Sequence, residues 1–194
     1  MDYLKTGRAT RTAAFGPMAE VVGNSTQYMS RPDLFAIATY LKGVGGEAGA
    51  PAASGGAVKG VVPSRGYDAS TTALRSGDVA KRGSLIYLNN CGGCHRSDGQ
   101  GSQRTFPALG LSSAVVAKDP TSLIRIVLQG SAMPHTVEAP SALAMPGFGW
   151  RLGDNDVADV LTFVRSSWGN SSEPVGAKSV AKVRSEIAKS VASK

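Results

Sequence analysis

The sequence predicts an all-α fold, and three observations lead to that prediction. Apolar residues recur at helical spacing in several segments, Asp, Pro and Gly stand where such segments begin and end, and no segment alternates convincingly with period two. The chain has 194 residues, of which 42% are apolar, enough for one well-packed domain and a partial second one. A complete large dehydrogenase is therefore excluded.

Four helices are predicted from these signals, at 31–42, 78–90, 119–129 and 154–168. Asp78 and Asp119 are the expected N-caps of the second and third helices, and Gly130 is the expected stop of the third. The side chains expected to face the interior are Leu34, Ile37, Ala38 and Leu41 in the first helix, Val79, Leu85, Ile86 and Leu88 in the second, Leu123, Ile124, Ile126, Val127 and Leu128 in the third, and Val157, Val160, Leu161 and Val164 in the fourth.

The chain divides into four regions by composition and internal similarity. A Gly/Ala-rich stretch predicts a linker over 44–72, followed by a helical domain at 73–170 and a basic tail at 171–194. Residues 3–43 repeat the pattern of residues 126–166, with FGPM standing where the second copy has MPGFGW. Residues 1–43 are therefore predicted to be the final part of a unit like the one at 73–170.

The charge pattern excludes several classes of function. The 21 Lys and Arg exceed the 14 Asp and Glu by seven, but the basic residues are scattered and do not alternate with aromatic residues, so nucleic-acid binding is not expected. No apolar run approaches the roughly 18 residues of a membrane span, and the N-terminal residues do not form a secretion signal.

The two cysteines lie in Cys91-Gly92-Gly93-Cys94-His95, the C-x-x-C-H pattern of covalent c-type haem attachment. Two thiols at this spacing can each add to a vinyl group of one porphyrin, and the following imidazole can then bind the iron. A redox C-x-x-C pair has no use for the trailing His and expects a βαβ surround. Half of a zinc site would need a second Cys/His pair. The pattern therefore favours one haem c with His95 as proximal ligand.

The sixth iron ligand has three candidates: Met145, Met133 and His135. Met145 is favoured because it lies in a turn before the last predicted helix and has a counterpart, Met18, in the repeat. Pro107 is the candidate whose carbonyl would accept the other ring N–H of His95, although it could equally be an ordinary turn proline. The side chains expected to wall the haem are Phe106, Leu109, Phe148, Trp150 and Phe163.

A resemblance to a known family covers nearly the whole chain except the linker and tail. The region from Asp78 onward, with CGGCH, FPALG, LIRIVLQG and LAMPGFGWRLGDNDVADVLTFVRSSWGN, resembles the last haem domain of the multihaem cytochrome c subunit of bacterial membrane-bound alcohol, gluconate and fructose dehydrogenases. Residues 1–43, with AAFGPMAEVVGNSTQYMSRPDLFAIATYLKG, resemble the end of the preceding haem domain. The resemblance implies a cytochrome c-like helical domain around a covalently bound haem, preceded by a partial cytochrome c-like segment and the linker.

The same resemblance implies ligands, partners and location. Cys91 and Cys94 would carry the thioether bonds, His95 and Met145 would be the axial ligands, and Met18 would correspond to the distal ligand of the preceding haem. The implied partners are a dehydrogenase catalytic subunit, ubiquinone or a downstream oxidase, and upstream haem domains. Family members carry three C-x-x-C-H motifs and a signal peptide, whereas this chain has one motif, so we expect a truncated product that would work on the periplasmic side of the inner membrane if exported.

With both axial positions filled, the expected chemistry is one-electron transfer and not catalysis by this chain alone. Two alternatives stay open: a peroxidase-like haem site with an open distal position, and a truncated remnant without function. The tail has Val180, Val183, Ile187 and Val191 on one face among basic residues, which is compatible with an amphipathic helix on anionic lipid over 174–194, with a helix that docks on a partner, or with a frayed tail.

Overall fold

The described part of the chain is mostly helical, as predicted. It also contains one small two-stranded sheet that was not predicted. A computed structural model describes residues 1–9, 11–44, 68–78 and 81–193. The helices are α1 (Asp2–Thr6), α2 (Pro17–Asn24), α3 (Arg31–Val44), α4 (Ala69–Ser76), α5 (Arg82–Asn90), α6 (Gly92–His95), α7 (Ser113–Val116), α8 (Thr121–Gln129), α9 (Asp154–Arg165) and α10 (Ala177–Ala192). Strands β1 (Gly130–Ala132) and β2 (Ala144–Pro146) pair antiparallel, with Ser131 opposite Met145.

The N-terminal segment contains α1, α2, a 3₁₀ turn at Thr26–Tyr28 and α3. Helix α3 begins where the sequence predicted and ends two residues later than expected. Its predicted apolar face is only partly covered, because Leu34 is buried whereas Leu41 is 56% exposed. Most of the predicted linker, residues 45–67, lies outside the described residues.

The helix predicted from Asp78 to Asn90 ends as expected but begins later, at Arg82, so Asp78 is not its N-cap, and a separate helix precedes it. Helix α4 comes first, capped by Asp68, whose Oδ1 accepts from the Thr71 N–H at 2.7 Å, and it ends at Gly77 with a left-handed φ of 76°. Helix α5 then begins at Arg82. Helix α4 thus starts at Ala69, inside the span expected to be linker, and its Leu74 belongs to the main core.

The buried face of α5 also differs from the predicted one. Gly83, Ser84 and Tyr87 are buried, whereas Leu85 and Leu88 are exposed; Val79 lies outside the described residues. The physical reason is a close crossing with α9, where a Cβ at Gly83 would collide with the backbone carbonyl of Asp159. Because glycine has no side chain, the face of α5 that contains Gly83 can approach α9 this closely.

Helices α8 and α9 are shorter than predicted but bury the expected faces. Asp119 precedes α8 and accepts from the Thr121 N–H at 2.9 Å, and Gly130 ends the helix with φ 77°. Helix α9 ends at Arg165 and not at Trp168, because the Asn170 side chain donates to the Val164 carbonyl at 2.8 Å. The predicted apolar residues of α9 are buried, namely Val157, Val160, Leu161 and Val164.

The basic tail is an integral helix of the domain, so the domain extends past the predicted boundary at residue 170. Helix α10 packs on α8 and α9, with Val180 and Val183 buried in the main core. Arg184 donates to the Gly149 carbonyl at 2.6 Å and pairs with Asp154 at 2.7 Å. The first half of this apolar face, at Val180 and Val183, is therefore covered by protein and not available to lipid, whereas Val191 at its end is exposed.

Val180→Ala should lower the free energy of unfolding by about 2 kcal/mol, since two methyl groups leave a fully buried position. Val191→Ala is the matched control on the same helix, where the side chain is 66% exposed, and it should change stability by less than about 0.5 kcal/mol. Chemical unfolding followed by circular dichroism measures both. Equal effects of the two substitutions would show that α10 does not dock in this way.

Candidate haem-binding site

The C-x-x-C-H motif forms a single helical turn, α6, directly after α5. Cys91 ends α5, with its N–H donating to the Tyr87 carbonyl at 2.8 Å, and its own carbonyl then accepts from the His95 N–H at 2.9 Å. This turn places Cys91, Cys94 and His95 along one wall of the same cavity. The local hydrogen bonds therefore bring together the three residues that the motif singles out.

Both cysteines are free thiols in the structure. Burial, and secondarily the neighbouring Cys94, raises the pKa of the Cys91 thiol to about 12. Reactive redox cysteines have a lowered pKa, because the thiolate is the attacking form. The surroundings of Cys91 therefore do not favour a thiol–disulfide redox pair.

His95 is buried and its ring is oriented by a backbone carbonyl. Nδ1 lies 3.0 Å from the Pro107 carbonyl oxygen, the acceptor expected from sequence. Burial lowers the pKa of His95, and the hydrogen bond to Pro107 partly opposes that shift. A neutral imidazole that donates through Nδ1 keeps the Nε2 lone pair free for a metal ion.

The loop that presents Pro107 is shaped by two glycines. Gly99 and Gly101 both have positive φ, near 60°. A Cβ at Gly101 would collide with the Phe106 carbonyl, and one at Gly99 would collide with the Trp168 ring. The Gly101 N–H also donates to the His95 carbonyl at 3.1 Å. This hydrogen bond holds the loop against the C-x-x-C-H motif.

The cavity beside the motif has a volume of about 200 Å³ and mostly apolar walls. Met145, on β2, lines it, and so does Met133, which follows β1. The strand pairing that sets Met145 opposite Ser131 fixes the position of this loop against the end of α8. His135 is exposed and is not among the residues that line the cavity.

Three of the five predicted wall residues line the cavity, namely Phe106, Leu109 and Phe148. Trp150 does not: it is 84% exposed and lies in a separate surface groove with Arg184. Phe163 is also outside the lining, because its ring packs 5.6 Å from those of both Tyr87 and Trp168. These two expectations were wrong because Phe163 packs at the contact between α5 and α9, and Trp150 lies at the surface.

Two contributors to the cavity were missed from sequence. Tyr87 lines it while its hydroxyl donates to the Arg96 carbonyl at 2.7 Å. The N-terminal segment also reaches the cavity through Thr12, Ala13, Ala14 and Phe15. Met18, the counterpart of Met145 in the repeat, is half-buried at the first turn of α2 and is not part of this lining.

The donor set fits a covalently attached haem. Two thiols, one imidazole and two thioethers share a cavity whose remaining lining is mainly aliphatic and aromatic. Within the described ranges, no group of three or more His, Cys, Asp or Glu side chains could hold a metal ion, so the second half of a zinc site is not found there. In the same ranges, no helix is long and apolar enough to cross a bilayer.

The chain is similar to several known cytochrome c proteins. The family model for cytochrome c matches residues 80–168. The cytochrome c subunit of alcohol dehydrogenase (quinone) from Gluconobacter oxydans is 43% identical over 186 residues, which is 95% of this chain and 37% of that protein. The gluconate 2-dehydrogenase cytochrome c subunit of Pantoea cypripedii is 39% identical over 95% of this chain and 40% of its own length. The chain thus spans about two fifths of these relatives.

A smaller relative is matched over most of its length. Cytochrome c-552 of Thermus thermophilus is 31% identical over 109 residues, which cover 55% of this chain and 70% of that protein. The chain belongs to the cytochrome c family.

Proposed function

We propose that this protein binds one haem c, through thioether bonds at Cys91 and Cys94, and transfers single electrons as part of a dehydrogenase system. Membership in the cytochrome c family implies covalently bound haem, and similar proteins are cytochrome c subunits of dehydrogenases. The observation that carries the proposal is that both cysteines, His95 and Met145 line one apolar cavity. When bound, haem supplies a one-electron iron couple.

The residues around the cavity have distinct roles in this proposal. His95 would hold the haem iron through Nε2, because its Nδ1–H donates to the Pro107 carbonyl and fixes the ring. Met145 would be the second side chain that holds the iron, and the β1–β2 pairing fixes the position of its backbone. Apolar residues such as Phe106, Leu109 and Phe148 exclude water, and a thioether ligand in a dry pocket favours ferrous iron. With His95 and Met145 both holding the iron, the bound haem would have no position for a substrate and would supply one-electron transfer only.

The partners follow from the same proposal. A dehydrogenase catalytic subunit is the electron donor, and ubiquinone or a downstream oxidase is the acceptor, on the periplasmic side of the bacterial inner membrane. The names of the relatives support a dehydrogenase partner. An upstream haem domain covers the exposed apolar side chains of the N-terminal segment, which include Tyr28, Phe35, Tyr40 and Leu41.

The function is tested by haem content and redox titration of the protein exported to the periplasm. A pyridine haemochrome assay should give one haem per chain, and a potentiometric titration should fit a one-electron couple. The absence of haem would overturn the proposal. Rapid turnover of peroxide by the haem-loaded protein would favour the open-site alternative.

Met145→Ala should abolish the ferric absorption feature of the methionine–iron bond and lower the midpoint potential, because the thioether ligand is removed. Met133→Ala is the matched control, since its thioether lines the same cavity, and it should retain the feature. Absorption spectra of the two ferric variants make the comparison. Loss of the feature in Met133→Ala, with retention in Met145→Ala, would assign the ligand to Met133 instead.

A further inference from the structure

The loop between β1 and β2, residues 133–143, joins two strands of only three residues each. Met133 begins this loop, Met145 follows it by two residues, and both side chains line the haem cavity. An isolated two-stranded hairpin is marginally stable in water, and closing a long loop adds an entropic cost. The sheet alone is therefore too small to hold these methionines in place.

The two ends of this hairpin are held by different parts of the chain. After β2, the Phe148 N–H donates to the Val127 carbonyl at 2.8 Å, which fastens the end of the strand to α8. Among the described residues, every hydrogen bond that joins residues 133–143 to the chain outside the hairpin leads to the N-terminal segment. The loop is thus supported by a segment that precedes the C-x-x-C-H motif in the chain.

Gln27, in the 3₁₀ turn of that segment, makes the central contact. It is buried, with 9% of the residue exposed. Its Oε1 accepts from the Val137 N–H at 3.1 Å, and its Nε2 donates to the Gly23 carbonyl. Lys5 Nζ donates to the backbone carbonyls of Gln27 and Met29, which fixes the turn. The amide of Gln27 is therefore oriented from both ends, with its oxygen toward the loop.

Pro134, the second residue of the loop, is buried against two glycines of the same segment. A Cβ added at Gly7, which has a left-handed φ of 71°, would collide with the Pro134 ring. A Cβ added at Gly23 would lie 3.7 Å from that ring, at ordinary contact distance. The absence of a side chain at Gly7 is what lets the start of the loop lie this close to the segment.

Arg8 reaches the other end of the loop. It is buried, and its guanidinium donates to the Ser141 carbonyl and, at 2.9 Å, to the Arg104 carbonyl. Arg104 lies in the loop that presents Pro107. One side chain of the N-terminal segment thus joins that loop to the loop that precedes Met145.

We propose that Gln27 is a positioning residue for Met145, and that through the Val137 N–H it sets how readily the sixth position of the haem iron opens to a small external ligand. The inference rests on the proposed haem-binding function. Met145 lies between the strand end fixed at Phe148 and the loop, so release of the loop frees one side of β2. The N-terminal segment therefore keeps the site in the form that suits electron transfer and not in the open form.

Imidazole binding to the ferric, haem-loaded protein measures this opening, because imidazole must displace the sixth ligand. Its apparent affinity scales with the fraction of protein in which that position is open. Gln27→Met keeps most of the side-chain volume but removes the acceptor of the Val137 N–H. We expect Gln27→Met to bind imidazole roughly three- to tenfold more tightly than the wild type, as the loss of one hydrogen bond implies. The absorption feature of the methionine–iron bond should disappear at correspondingly lower imidazole concentrations.

Two control variants separate this effect from others. Arg31→Gln removes another contact between the same segment and loop, the exposed ion pair with Glu138 at 3.4 Å, and such pairs contribute little. Val180→Ala weakens the core at α10 but leaves the contacts of the loop intact. Both variants should bind imidazole as the wild type does. Wild-type affinity in haem-loaded Gln27→Met, or an equal gain in Val180→Ala, would overturn the proposal.

Amide hydrogen exchange gives a second readout that does not depend on haem. The Met133 N–H, which donates to the Leu143 carbonyl at 2.9 Å, should exchange several-fold faster in Gln27→Met than in Arg31→Gln. Equal exchange rates in these two variants would contradict the role of Gln27. A wild-type protein without haem after export would instead refute the proposed function, and the exchange comparison would still decide the role of Gln27.

Discussion

The hydrogen bond between His95 Nδ1 and the Pro107 carbonyl is the interaction on which the site depends. It fixes the ring of a buried imidazole and decides which nitrogen can bind a metal ion. Its geometry in turn requires the loop around Gly99 and Gly101, whose left-handed backbone no larger residue could adopt in the space available. The loop rests on Trp168, whose Nε1–H donates to the Ser97 carbonyl at 3.0 Å. A local ligand is therefore positioned by a residue more than seventy positions away.

The helical core also helps to position the residues of the candidate haem site. Gly83 allows α5 and α9 to cross closely, and Tyr87, Phe163 and Trp168 fill the space beside that crossing. Arg165 is buried without an ion pair among the described residues, but it donates to the carbonyls of Val115 and Ala117, which follow the loop that presents Pro107. Burial lowers the pKa of Arg165, yet these bonds hold α7 against α9. Helix α10 then fastens the loop after Met145 through Arg184.

Sequence reasoning worked best where the signal was local. The C-x-x-C-H motif specifies one helical turn, and the apolar face of α9 follows from its 3.6-residue period. Sequence reasoning failed where tertiary contacts decide at which residue a helix ends or which of its faces is buried. Gly83 turns α5 toward α9 and leaves Leu85 exposed, and Asn170 ends α9 early by capping Val164.

The role of the N-terminal segment could not be predicted for a related reason. Thr12–Phe15 reach the cavity, and Arg8 bonds to residues 96 and 133 positions further along the chain. No periodicity or motif encodes such contacts. The internal repeat predicts that this segment is part of a unit like the one at 73–170, but it does not predict that the segment lies beside the cavity. Likewise, the apolar face of α10 was visible in the sequence, but only the fold shows that protein covers its Val180 and Val183.

The central claim is that a porphyrin is covalently attached at Cys91 and Cys94. Intact-protein mass spectrometry under denaturing conditions tests it most directly, because a covalent group survives unfolding and a dissociable one does not. The account predicts that the exported chain is heavier by the mass of one haem, and that peptide mapping locates the addition at these two cysteines. A chain of unmodified mass with two free thiols would contradict it.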